Sequence, residues 1–190
     1  MFTPRVQAVI DKVDHLRHEV DDHWQIPRDE AELLAQLVRI GRCESICEIG
    51  TSYGFSSLHL TAAMIEVGGG HLHTMDIDPR KVHAATAHLA EAGLADHVTV
   101  HKGDAREVLT ALDPDRPFDF VFIDAVKEQS FDYLHAVRPH LADRAILVTD
   151  NTTTHAEALS EFVAHLRGMH DVCSSHVPVG NGFELTYKFA

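Results

Sequence analysis

The chain has 190 residues, 45% hydrophobic and 24% charged, which is ordinary globular usage and excludes a disordered chain. Its formal charge is −13 at pH 7, from 29 Asp and Glu against 16 Lys and Arg, with 16 His neutral. Such an acidic chain repels phosphate, so nucleic acid and anionic membrane are excluded as default partners.

The length fits one domain, 1–190, with N-terminal helices over 1–42 and a core over 43–190. No apolar run approaches the roughly 20 residues needed to span a bilayer. The start, MFTPRVQAVIDKVDH, has no basic region leading into an apolar block. Three cysteines are too few for a disulfide scaffold and read as reduced thiols of a cytoplasmic protein. Cys43 and Cys47 are spaced like a metal pair, but no second pair completes four ligands.

Val6, Val9, Val13, Leu16 and Val20 make an a/d seam about two heptads long. It reads either as a helix packed on its own domain or as a homodimer contact. Leu33, Leu34, Leu37 and Val38 follow at helical spacing, closed by Gly41. Strands and helices then alternate. Strands are predicted over 45–49, 71–75, 97–101, 118–123 and 145–149. Helices are predicted over 56–65, from Asp78-Pro79 to about Glu91, over 105–112, before Pro139, and through Leu159, Phe162, Val163 and Leu166. Asp78 reads as a helix cap and Pro79 as its first turn. The tail changes period: Phe183, Leu185, Tyr187 and Phe189 alternate with polar residues and pair with 172–177 across Gly180-Asn181-Gly182. Five βα units and a terminal hairpin predict an α/β fold: a doubly wound, mostly parallel sheet with a C-terminal antiparallel strand pair.

Each of the five parallel strands ends in or just before an acid: Glu48, Asp76, Asp104, Asp124 and Asp150. In an open α/β sheet the carboxyl ends of strands line the ligand crevice; the alternative is that these acids cap helices. Gly50-x-x-x-Gly54 follows the first strand. It lacks the middle glycine of a dinucleotide fingerprint, which disfavours a pyrophosphate cradle. Asp76 stands where a carboxylate can accept both hydroxyls of a ribose. Asp124, Asp150 and Asn151 would form a hard-oxygen site for Mg²⁺ or Ca²⁺ if their strands are neighbours. Lys127 stands three residues after Asp124, either near that site or as a solvated lysine.

Together these segments resemble a family. From about Trp24 onward the chain is similar to class I S-adenosylmethionine-dependent O-methyltransferases of the cation-dependent catechol / caffeoyl-CoA type. The resemblance rests on WQIPRDEAELL, CEIGTSYGFSSL, HTMDIDP, KGDAREVL, FDFVFIDAVKEQSFDY, ILVTDN and VPVGNGFELTYK. It implies a Rossmann-like methyltransferase sheet, with Ile26, Glu48, Gly50 and Ser56 at the methionine end of the cofactor. Asp76 would bind the ribose, Asp104 and Ala105 would flank the adenine, and Asp124 would also border the cofactor. Asp124, Asp150 and Asn151 would hold a divalent cation, Mg²⁺ first, and Lys127 would be the general base. The implied reaction is methyl transfer to a hydroxyl of a small vicinal-dihydroxy aromatic. A nicotinamide-dependent reductase and a non-catalytic cofactor-binding protein are the alternatives. The chain departs from the family pattern at Val126, at Asp143-Arg144 and at Thr152-Thr153-Thr154. Its short connection after Asn151 speaks against a CoA-ester acceptor.

Overall fold

The computed structural model describes residues 2–190. Helix α1 (Pro4–Leu16) starts with Thr3 accepting the Val6 N–H and proline in the first turn. Helix α2 (Arg28–Gly41) buries Ala31, Leu34, Ala35 and Val38. The core then runs β1 (Ser45–Ile49), α3 (Phe55–Glu66), β2 (His71–Asp76), α4 (Pro79–Ala92), β3 (Val98–Lys102), α5 (Ala105–Ala111), β4 (Phe118–Ile123), α6 (Ser130–Val137), β5 (Leu141–Thr149), α7 (Ala156–Gly168), β6 (Val172–Val177) and β7 (Phe183–Lys188).

The seven strands form one sheet in the order β3-β2-β1-β4-β5-β7-β6. Strands β1 to β5 pair in parallel, while β7 runs antiparallel to both β5 and β6. The chain winds outward from β1 to β3, then returns to lay β4 against the other side of β1. That reversal is the switch point where an open α/β sheet leaves a crevice. All five residues of β1 are buried, as a central strand covered on both faces requires. One core joins Ile46, Phe120 and Phe122 to helices α1 to α4. The other joins Cys47, Ile49, Val121 and Ile123 to α5, α6 and α7.

One of two open readings is favoured and three expectations change. The valine seam is filled from within the chain: Val6, Val9 and Val13 are buried, and α1 packs on α3 and α4. Val20 lies beyond the end of α1, and the buried valines bear out the reading of a helix packed on its own domain. Helix α2 is closed by Arg42 in a left-handed conformation (φ 52°), not by Gly41. Gly41 is small because a Cβ there would meet Cys43 Sγ at 2.7 Å and Ile146 Cδ1 at 2.9 Å. The third strand begins at Val98, because Ala95–His97 forms a 3-10 turn. Strand β5 begins at Leu141, four residues before Ala145. Asp143-Arg144, a departure from the family pattern, lies inside this strand, where a register shift against β4 and a left-handed Arg144 (φ 66°) absorb the pair as a bulge. Among the described residues, no helix is long and apolar enough to cross a membrane.

Candidate functional site

The sheet register builds the site. Ile49 pairs with Met75 on one side and Ile123 on the other, and Ile123 pairs with Thr149. The next residues of those strands or loops, Gly50, Asp76, Asp124 and Asp150, therefore stand side by side along one sheet edge. An open cleft of about 1000 Å³ lies over that edge.

Gly50 makes the first turn (φ 106°), and a Cβ there would lie 2.0 Å from the Asp124 carbonyl oxygen. Only glycine lets β1 and β4 end so close together. The turn aims backbone groups at β2: Ser52 N–H donates to Asp76 Oδ2 at 2.8 Å. Asp78 N–H donates to Asp76 Oδ1 at 2.9 Å. Two amides thus fix the Asp76 carboxylate on the cleft wall, with lone pairs left for a ligand. Asp78 caps α4, accepting from Arg80 N–H at 2.8 Å.

Gly50, Asp76, Asp104, Ala105, Asp124, Lys127, Asp150 and Asn151 all line this cleft, whereas Ile26, Glu48 and Ser56 do not. Ile26 is a core residue, and its carbonyl accepts from Arg17. The Glu48 carboxylate is fully buried and turned into the protein, accepting from Ser57 and from Thr74 Oγ1. Burial pushes the Glu48 carboxyl up to about 7, against the pull of the Ser56, Ser57 and Thr74 hydroxyls. Asp104 is also a helix cap, holding Arg106 N–H at 2.9 Å and gripping the Arg106 guanidinium. The guanidinium holds its carboxyl below the ordinary range.

At the other end, Lys127 Nζ donates to Asp124 Oδ1 at 2.8 Å, and Ser130 Oγ ties down the Lys127 carbonyl. Asp150 is 1% exposed, and neither of its carboxylate oxygens has a hydrogen-bond partner. Burial, the Asp124 charge and Glu30 together push its carboxyl up to about 9. Asn151 takes a left-handed conformation (φ 68°) and donates Nδ2 to Thr154 Oγ1 at 3.1 Å, which turns its Oδ1 the other way. Thr152 and Thr153 extend this turn by donating N–H groups to the Gly182 and Asn181 carbonyls. Among the described residues, no three His, Cys, Asp or Glu side chains form a ready metal cage. The oxygen set here is two carboxylates and an amide, and the two orphaned oxygens of Asp150 fit a hard cation.

Several neighbours were not singled out from the sequence. Trp24 lies 77% exposed on the cleft wall with Lys81 Nζ 5.0 Å from its ring. His155 and Asn181 also line the cleft. Glu30, in the first turn of α2, stands near Asp150. Nothing in its local sequence separates it from an ordinary acid at a helix start.

A family model described as "Methyltransferase domain" matches residues 47–152. The chain belongs to this methyltransferase family. The catechol O-methyltransferase of Mycobacterium tuberculosis is 34% identical over 147 residues, 74% of this chain and 64% of that protein. The catechol O-methyltransferase of Niastella koreensis is 27% identical over 135 residues, 70% of this chain and 60% of that protein. The chain thus spans 64% and 60% of the length of these two curated relatives. The O-methyltransferase TomG of Streptomyces achromogenes, solved with S-adenosylmethionine, superposes with a TM-score of 0.84 at 28% identity. That match covers 96% of this chain and 90% of TomG. An O-methyltransferase of Bacillus cereus, solved with SAH, shares the fold with a TM-score of 0.85 at 21% identity, over 95% of this chain and 90% of that one.

The matched span runs from Cys47 to Thr152. It therefore contains the glycine turn, Asp76, Asp104, the Asp124–Lys127 pair and Asp150-Asn151. Val126, which departs from the family pattern, is half-exposed on the cleft lip.

Proposed function

We propose that the chain transfers a methyl group from S-adenosylmethionine to a hydroxyl of a small vicinal-dihydroxy aromatic, with a divalent cation at Asp124, Asp150 and Asn151. The observation that carries this reading is Asp150: a buried carboxylate with no donor, opening on the same cleft as Asp76 and beside Lys127. A buried acid so placed is costly unless a cation joins it. The resemblance to catechol O-methyltransferases supports the acceptor class.

In this mechanism Asp76 accepts the ribose hydroxyls, and Asp104 with Ala105 borders the adenine. Asp76 and Lys127 line one cleft, so a cofactor held at Asp76 would share it with an acceptor beside Lys127. When bound, a divalent cation supplies Lewis acidity to an acceptor hydroxyl. Asp124 holds Lys127 Nζ at the end of β4; with a cation taking over Asp124, Lys127 as the neutral amine would take the hydroxyl proton. When bound, S-adenosylmethionine would supply its sulfonium methyl to the acceptor oxygen, an O–C bond forming as the C–S bond breaks, with S-adenosylhomocysteine as the product. Holding both reactants in one cleft supplies much of the rate. Reduced cysteines, two buried and one exposed, accord with a cytoplasmic setting.

Two measurements test this reading. S-adenosylhomocysteine should raise the melting temperature, and NAD should not. Catechol should be methylated with Mg²⁺, and turnover should vanish in EDTA and return with Mg²⁺. Stabilisation by NAD alone would overturn the cofactor assignment, and full turnover in EDTA would overturn the cation.

A further inference from the structure

Strands β2 and β3 carry a group of imidazoles that the proposed mechanism leaves unused. Successive side chains of a strand alternate between faces, and the parallel register pairs His73 with Thr99. His71, His73, Thr99 and His101 therefore share one face of this strand pair, at the β3 edge of the sheet. His73 Nδ1 lies 3.0 Å from His101 Nε2. The His71 ring stands 4.9 Å from the His73 ring, and its Nε2 is 2.7 Å from Thr99 Oγ1. The Phe118 ring meets His73 edge-on, with 5.9 Å between centroids. None of the three histidines lines the methyl-transfer cleft.

All three are partly buried, which disfavours the imidazolium form. Burial first, and then a neighbouring imidazole, holds each of them below the usual histidine value, His73 at about 4. His97 is that neighbour for His71, and Asp115 pulls the other way at His71 and His73. At neutral pH the group is therefore uncharged, the form in which imidazole binds a metal. As neutral rings, His73 and His101 share one proton between their facing nitrogens. That hydrogen bond does not account for a third imidazole alongside, and strand propensity does not call for histidine at these positions either.

The spacing matches a chelate. Metal–nitrogen bonds of about 2.0–2.1 Å set two ligands about 2.9 Å apart at a right angle and about 3.4 Å apart at the tetrahedral angle. The 3.0 Å observed lies between these and nearer the first, the angle of a square Cu²⁺ site. Imidazole nitrogen suits Zn²⁺ and Cu²⁺, whereas Mg²⁺ seeks oxygen. Among the described residues no three such side chains form a ready cage, so the site is a two-nitrogen chelate with His71 one ring away.

We infer that His73 Nδ1 and His101 Nε2 form a binding site for a nitrogen-seeking divalent ion of the Cu²⁺ or Zn²⁺ class, which ties the edge strand β3 to β2 apart from the methyl-transfer cleft. The ion takes the place of the shared proton, His73 keeping its own proton on Nε2 and His101 on Nδ1. The site shares no residue with Asp124, Asp150 and Asn151, so it stands or falls independently of the cation proposed there.

The test is Cu²⁺ titration of the full chain near pH 7, in excess Mg²⁺, followed by electron paramagnetic resonance. At substoichiometric copper the wild-type signal should show splitting by imidazole nitrogens. His73→Gln and His101→Gln should each weaken binding of the first equivalent by about 10²-fold, the gain that a second linked ligand brings. His18→Gln, from the separate ring pair with His15, should leave it unchanged. An oxygen-only spectrum in wild type would overturn the inference. So would full affinity for the first equivalent in either His73→Gln or His101→Gln, or its loss in His18→Gln. Without copper, His73→Gln and His101→Gln should melt within a few degrees of wild type; a chain that does not fold would make these imidazoles structural and overturn the site as well.

Discussion

Lys127 and Asp124 occupy one turn, and their ion pair is largely shielded from solvent, with side chains 15% and 21% exposed. This contact sets Lys127 apart from a solvated surface lysine. Lys127→Met keeps the stem and removes the amine. It should lower kcat by about 10²-fold or more, the low end for loss of a general base, with S-adenosylhomocysteine affinity little changed. Steady-state kinetics on catechol with saturating Mg²⁺ provides the measurement; near-wild-type kcat across neutral pH would reduce Lys127 to a counter-ion of Asp124. Asp76→Ala should weaken the cofactor by about 1.5–3 kcal/mol, the range for a charged hydrogen bond. Unchanged affinity by calorimetry, in a folded variant, would remove Asp76 from the site. Residues at strand ends, such as Asp76, Asp124 and Asp150, were legible because a strand pattern followed by an acid states a position. Glu30 was not: its burial depends on α2 meeting the β6–β7 turn, 151 residues away at Asn181, and no local pattern encodes that meeting.

Elements with strong patterning were read from sequence almost to the residue. β1, β4 and β6 start and stop where their apolar runs or alternation do, and Asp78-Pro79 starts α4 as its capping chemistry requires. The errors fall where tertiary context overrides local signal. A bulge hides inside β5 as a charged pair, and Gly41 is small for packing and not for closing a helix. The valine seam shows the same limit: period alone cannot say whether a helix meets its own sheet layer or another chain. Gly50 is the opposite case, since the backbone geometry explains the residue fully. Gly50→Ala would force a Cβ against the Asp124 carbonyl at a positive φ. It should destabilise the chain by about 3 kcal/mol, combining overpacking and backbone strain. Urea unfolding checks this, with Gly69→Ala as control, because a Cβ at Gly69 meets nothing within 4 Å at a similarly positive φ (95°). If both variants unfold at the same urea concentration, the close approach of β1 to β4 is not what fixes Gly50.

Across the whole molecule, parallel register gathers acids from distant parts of the chain at one end of the sheet, and burying one of them there has a cost that the pH dependence of stability should show. Glu48 is the clearest reporter, because it is fully buried and outside the cleft. Its carboxyl has a reference value of 4.5 and is pushed up to about 7 in the fold. Between those values the native chain keeps a proton that the unfolded chain has released, so stability is present below 4.5 and is lost as pH rises through 7. The size is about 3 kcal/mol over that window. Glu48→Gln keeps an acceptor for Ser57 and Thr74 and removes the titration. His59 and His73, each pushed down to about 4 by burial, work in the opposite direction, losing stability as pH falls. They are common to both proteins and cancel in the comparison. The melting temperature of Glu48→Gln relative to wild type should therefore be several degrees higher at pH 8 than at pH 5. Measured without cofactor, a difference that stays constant between the two pH values would mean that Glu48 ionises in the fold as it does in the unfolded chain, and the buried acid would carry no penalty for the sheet edge it supports.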